Sequence, residues 1–131
     1  MLDERIYQSY IGILKEEMIP AMGCTEPIAL AYGAARARDV LGKEPEHIIA
    51  KCSGNIIKNV RCVIIPNSGG LTGIEAGVVL GAVAGDPSLN MEVLSKVNES
   101  GRKRCGELLD KKICKVELLD SPVVLHFIIE M

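Results

Sequence analysis

Apolar residues recur at Ile6, Tyr10, Ile13, Leu14 and Met18, the spacing of one helical face. Asp3 is placed to cap that helix and Pro20 to stop it, so the pattern predicts a helix over 3–19. A second helix is predicted over 27–41, rich in Ala, with Glu26 as N-cap and Gly42 just past its end. Strands are predicted at 47–53 and 60–66. Between them, 54–59 has the Gly and Asn of a turn but more Ile than an exposed turn carries. Asn67-Ser68-Gly69-Gly70 is a loop by composition. Thr72-Gly73-Ile74-Glu75 has the form of a capping box, opening a helix to Ala84. Gly85-Asp86-Pro87 closes it and starts another helix over 88–97. A charged helix over 100–111 and two strands, 113–119 and 123–130, complete the chain. The first of these strands alternates, with Cys114, Val116 and Leu118 on one face and Lys115 and Glu117 on the other. The expected fold is α+β: one compact domain whose small β-sheet packs against several helices.

A length of 131 residues supports one core, not two. With three Tyr, one Phe and no Trp, that core has to be built from Ile, Val, Leu and Ala. The net charge of −2 carries no electrostatic footprint for nucleic acid or an anionic membrane. The first five residues are charged and contain no signal-peptide core. The apolar run 74–84 is too short to span a bilayer and contains Glu75. A cytoplasmic protein is therefore expected. The five cysteines are odd in number and form no C-x-x-C pair, which argues against a disulfide framework or a zinc ribbon. Cys52, Cys62, Cys105 and Cys114 read as small buried hydrophobes. The chain ends at Met131 directly on an apolar strand, which suggests a domain cut short at that end.

Two stretches carry candidate chemistry. In Met22-Gly23-Cys24-Thr25-Glu26-Pro27, Pro27 suits a first helical turn, so Cys24 lies at a helix start. Unpaired N–H groups and the helix dipole there favour a thiolate, a better nucleophile, base or iron ligand. Thr25 and Glu26 add a hydroxyl and a carboxylate, a set suited to amino-acid chemistry. The same position suits a buried cysteine beside a cap, and spacing alone does not choose. In the second stretch, Asn67, Ser68, Gly69 and Gly70 precede a helix. Adjacent glycines can take positive φ and aim N–H groups at a carboxylate or phosphate, or simply form a flexible connection. The loop matches neither a P-loop nor a dinucleotide fingerprint.

Gly73, Gly77, Gly81 and Gly85 recur every four residues, a smooth stripe that reads as close helix packing. Arg102-Lys103-Arg104 reads as a solvated helix face, and His47 and His126 lack partners at metal spacing. Asn55, Lys58 and Asn59 could reach a substrate or could form a turn.

Three stretches together resemble the iron–sulfur-dependent L-cysteine desulfidases and serine-dehydratase alpha-subunit-like proteins. They are Met22-Gly23-Cys24-Thr25-Glu26-Pro27-Ile28-Ala29, residues 53–60, and Pro66-Asn67-Ser68-Gly69-Gly70-Leu71 continuing to Gly85-Asp86-Pro87. The resemblance implies a longer cytoplasmic lyase with a four-iron–four-sulfur cluster. Such an enzyme would catalyse α,β-elimination from L-cysteine or L-serine, giving pyruvate, ammonia and, from cysteine, sulfide. It implies catalytic roles for Cys24 and Glu26, with Cys24 alternatively beside the cluster or ligating it. Substrate-binding roles fall to Thr25, Asn55, Asn59, Asn67, Ser68, Gly69 and Gly70. The family's further cysteines belong to a C-terminal half beyond this sequence, so no intact cluster and little activity are expected of this chain alone. Its expected partners are a small L-amino acid and a domain or second chain carrying the cluster cysteines. Homo-oligomers are compatible with this reading. The rival reading is a non-catalytic domain for small-anion or amino-acid binding, or for assembly.

Overall fold

The computed structural model describes residues 3–20 and 23–131. They form an α+β domain with a small mixed sheet, in the order α1 (Glu4–Glu17), α2 (Thr25–Leu41), β1 (Ile48–Cys52), α3 (Gly54–Val60), α4 (Ile74–Ala84), α5 (Glu99–Asp110), β2 (Cys114–Leu118) and β3 (Phe127–Glu130). The sheet order is β2-β1-β3, with β2 parallel and β3 antiparallel to the central strand. Among the described residues no helix is long and apolar enough to cross a membrane.

The inward residues of β1, Ile48, Ala50 and Cys52, are buried, whereas Ile49 and Lys51 on the other face are half-buried. On that outer face Lys51 pairs with Glu130 at 2.7 Å, beside Ile49 and the exposed Ile128. Helices α2 and α4 cover the inner face, α2 against β3 and α4 against β2. Phe127 lies on Gly33 of α2, where a Cβ would come within 2.5 Å of its ring. The core is aliphatic, led by Ile28, Leu30, Ile56, Ile65, Leu80 and Leu94. Each such side chain contributes about 1.5–3 kcal/mol on burial.

The glycine stripe explains how α2 and α4 pack. A Cβ on Gly77 would sit 3.7 Å from the Pro27 carbonyl oxygen, and one on Gly81 would sit 2.6 Å from the Ala31 Cα. Gly77 and Gly81, like Pro27 and Ala31, lie one turn apart, so the two backbones run in contact along a seam. Arg38 closes its far end by donating to the carbonyls of Ala82 at 3.1 Å and Gly85 at 2.8 Å. Those are carbonyls at the end of α4 with no helical partner of their own.

Several local expectations change. The segment 54–59 is helix, not turn, because burying Ile56 and Val60 requires one apolar helical face. Residues 60–66 form no strand, only an isolated bridge between Ile64 and Thr72. The capping box does not form, since Gly73, at φ 93°, is the N-cap of α4. That conformation is natural for Gly and strained for other residues. Residues 87–92 make a 3₁₀ turn rather than the start of a helix over 88–97, interrupted by Asn90 at φ 51°. Asp3 caps α1 as expected, accepting from Arg5 N–H at 2.8 Å. No residue of α1 is buried, however.

Candidate functional site

Helix α2 begins two residues earlier than the capping pattern suggests. Cys24, not Glu26, is its N-cap, in extended backbone, and Glu26 lies in the first turn. Pro27 still fits, because the first four helical residues need no intrahelical acceptor for their N–H groups. Gly23 takes φ 76° and brings the chain past Pro66, which a Cβ there would meet at 3.7 Å. The start of α2 therefore lies beside the entry to the Asn67–Gly70 loop. Met22 lies outside the described residues.

Cys24 is exposed, and its thiol donates to Glu26 Oε2 at 3.2 Å. The other carboxylate oxygen, Oε1, accepts from Asn59 Nδ2 at 3.2 Å. Asn59 is on the last turn of α3, so an unpredicted helix supplies the third member of the cluster. Both hydrogen bonds stabilise the ionised carboxylate, Cys24's the more, and hold Glu26 below the ordinary carboxylate range. The result is a thiol in contact with a carboxylate that Asn59 orients from the other side. The helix start was expected to favour a thiolate. The nearest partner of the sulfur is the Glu26 carboxylate, an acceptor.

Not all the predicted site residues face outward. Asn67, at φ 56°, turns its amide inward, and Nδ2 donates to the carbonyls of Leu94 at 2.9 Å and Val97 at 3.0 Å. Ser68 is buried, and its hydroxyl accepts from Leu71 N–H at 2.9 Å. These polar atoms are engaged in holding the loop. Gly69 and Gly70 do take positive φ, 77° and 98°, and are exposed. Thr25 and Asn55 are exposed near the start of α2 and of α3 respectively.

Spacing gave no hint of Arg102. Instead of a solvated face it presents Nη1 to Asn67 Oδ1 at 3.0 Å, and its Cδ would lie 3.5 Å from a Cβ on Gly69. Arg104 likewise is not free; it is ion-paired with Glu44 and with Glu107. Partners 35 and 60 residues away leave no local signature.

The cysteines do not converge. Cys52 and Cys105 are buried, Cys114 is half-buried, and Cys62 is exposed rather than in the core as expected. Burial pushes the Cys52 and Cys105 thiols up to about 11 and that of Cys114 to about 12. Among the described residues no three His, Cys, Asp or Glu side chains come together as metal ligands. An iron–sulfur cluster needs three or four thiolates at one point, and these residues do not supply them.

No family model matches the chain, and no solved structure matches it. Similar curated proteins do exist. One from Treponema denticola is 46% identical over 125 residues, 95% of this chain and 29% of the relative. One from Desulfitobacterium hafniense is 45% identical over 128 residues, 98% of this chain and 30% of the relative. A third, from Finegoldia magna, is 53% identical over 114 residues, 87% of this chain and 27% of the relative. All three are named UPF0597 proteins. The motif-based resemblance to L-cysteine desulfidases and serine-dehydratase-like proteins is corrected accordingly, since similarity over nearly the whole chain leads to UPF0597 proteins. A short motif match is a hypothesis, and similarity over nearly the whole chain outweighs it. The chain spans about 30% of the length of the UPF0597 relatives it matches.

Proposed function

We propose that this domain contributes the acid–base pair of a cytoplasmic lyase acting by α,β-elimination on a small L-amino acid, L-serine or L-cysteine. The observation that carries the reading is the Cys24–Glu26 contact at 3.2 Å, held in place by Asn59. In the proposed step the Glu26 carboxylate takes the substrate α-proton as the Cβ–O or Cβ–S bond breaks. The Cys24 thiol protonates the departing oxygen or sulfur, leaving 2-aminoacrylate and water or hydrogen sulfide. The aminoacrylate tautomerises to the imine, and water hydrolyses that to pyruvate and ammonia. The proton on Glu26 returns to the Cys24 sulfur across the same hydrogen bond, which resets the pair. Gly69 and Gly70, with N–H groups in positive-φ backbone, are candidates to receive the substrate carboxylate. A four-iron–four-sulfur cluster, if the longer protein holds one, would draw its ligands from polypeptide outside the described residues, and no step here depends on it.

The second reading is a non-catalytic amino-acid or small-anion binding domain, favoured by the exposed positive-φ backbone of Gly69 and Gly70. One experiment separates the two. This chain is placed in the Treponema denticola relative in exchange for its matched segment, and pyruvate release from L-serine and L-cysteine is followed anaerobically. Turnover that falls at least ~100-fold in Cys24→Ala and Glu26→Gln, and less in Asn59→Ala, is the expected result. Amino-acid binding without pyruvate favours the binding domain. Undiminished turnover in Cys24→Ala removes the pair from the chemistry.

A further inference from the structure

Helix α1 presents Ile6, Tyr7, Tyr10, Ile13 and Leu14 with between 46% and 55% of each residue exposed, and none of its residues is buried. An isolated helix of 14 residues is marginal in water even with good local sequence. Its local supports are the Asp3 cap and the Gln8–Glu4 side-chain bond at 2.8 Å, each a small contribution. Most helical stability in proteins comes from covering such a face. Something of complementary apolar character therefore belongs on it.

Three occupants are conceivable, and the observations separate them. Helices that lie in anionic lipid are rich in Lys and Arg on the polar face. Here Asp3, Glu4, Glu16 and Glu17 outnumber Arg5 and Lys15, so the charge opposes such a surface. A second copy would offer the same half-exposed side chains with the same acidic excess, and so no complementary charge. The third occupant is polypeptide from the rest of a longer protein. The relatives supply it in quantity, because the matched region is only 29% of the Treponema denticola protein and 30% of the Desulfitobacterium hafniense one.

We infer that the Ile6–Tyr10–Ile13–Leu14 face of α1 is an internal docking surface, covered in the full-length UPF0597-type protein by an apolar surface of the region this chain does not match. The cover is another part of the same molecule, and the helix acts as a clamp between the two regions. This holds whatever reaction the protein catalyses, since none of these residues belongs to the Cys24 cluster.

The test is amide hydrogen exchange on α1. It compares this chain alone with the same chain in place of the matched segment of the Treponema denticola relative. We expect the α1 amides to exchange at least about tenfold more slowly in the long protein, and Tyr10→Glu or Ile13→Asp to remove that protection. Lys15→Glu, on the polar side, should leave it intact. Equal exchange in both proteins overturns the inference. So does protection in the short chain that grows with concentration, which would identify a second copy as the cover. If the long chimera does not fold, this chain is co-expressed with the unmatched region of the relative. Co-purification lost on Tyr10→Glu supports the clamp. No co-purification, or co-purification unaffected by that change, overturns it.

Discussion

Gly81 of α4 lies so close to Ala31 of α2 that a single added methyl carbon would fall 2.6 Å from the Ala31 Cα. The helices touch backbone to backbone there, and neither can yield without opening the seam that covers the sheet. Gly81→Ala should destabilise the domain by about 1–3 kcal/mol despite alanine's better helix propensity. Gly12→Ala is the control, because nothing lies within 4 Å of the added atom in α1. It should stabilise α1 by about 0.5–1 kcal/mol. Urea denaturation of both variants checks the contrast. A neutral Gly81→Ala would mean the helices are less tightly seated.

Asn67 bridges its loop to two carbonyls, of Leu94 and Val97, while its oxygen accepts from Arg102. Asn67→Ala should cost about 1–3 kcal/mol, because it removes the two hydrogen bonds that tie the loop to the Leu94 and Val97 carbonyls. Asn67→Gly should cost less than that, since it relieves the left-handed backbone at φ 56°. Arg102→Ala should cost about 1 kcal/mol, and the double variant less than the sum, because the pair shares one network. A double-mutant cycle by chemical denaturation reads the coupling.

Thiol labelling divides the cysteines by environment. Cys24 and Cys62 are exposed, whereas Cys52 and Cys105 are buried with thiols near 11 and Cys114 near 12. At pH 8 under native conditions two thiols should react rapidly with a disulfide reagent and the other three only as the domain opens. Cys24→Ser should remove one rapid equivalent. Five equally rapid thiols would contradict the burial pattern.

Glu26 is held below its ordinary value of 4.5, first by the Cys24 hydrogen bond and then by Asn59. A carboxylate whose value is lowered by folding contributes stability above its unfolded value, and loses that contribution as pH falls through the folded one. The contribution is small because the group is open to solvent. It belongs to the window below about pH 4.5. Carboxyl-carbon NMR titration should show Glu26 moving up towards 4.5 in Cys24→Ala, and by a smaller step in Asn59→Ala. No movement in either variant would mean the hydrogen bonds do not persist in solution.

Local pattern carried much of this protein. The α1 repeat with its Asp3 cap and the end of α2 at Gly42 follow from short-range rules about helix ends, and a strand at 114–118 from its residue types, although Leu118 is exposed against the expected alternation. The four-residue glycine stripe was also legible as a packing face, since a run of costly glycines needs a close neighbour to compensate. What spacing could not reveal was which neighbour. That α4 meets α2 at Ala31, that Asn59 reaches Glu26 from a helix expected to be a turn, and that Arg102 pins Asn67 all join residues about 30 or more positions apart. Burial overrode propensity at Ile56 and Val60, turning a Gly-Asn segment into helix. The left-handed geometry of Gly73 displaced the capping box. The thiol and carboxylate near the start of α2 could be named from the chain alone, because they are neighbours along it. Their orientation and their third partner came only from packing, which is where distant side chains acquire defined distances and electrostatic effect.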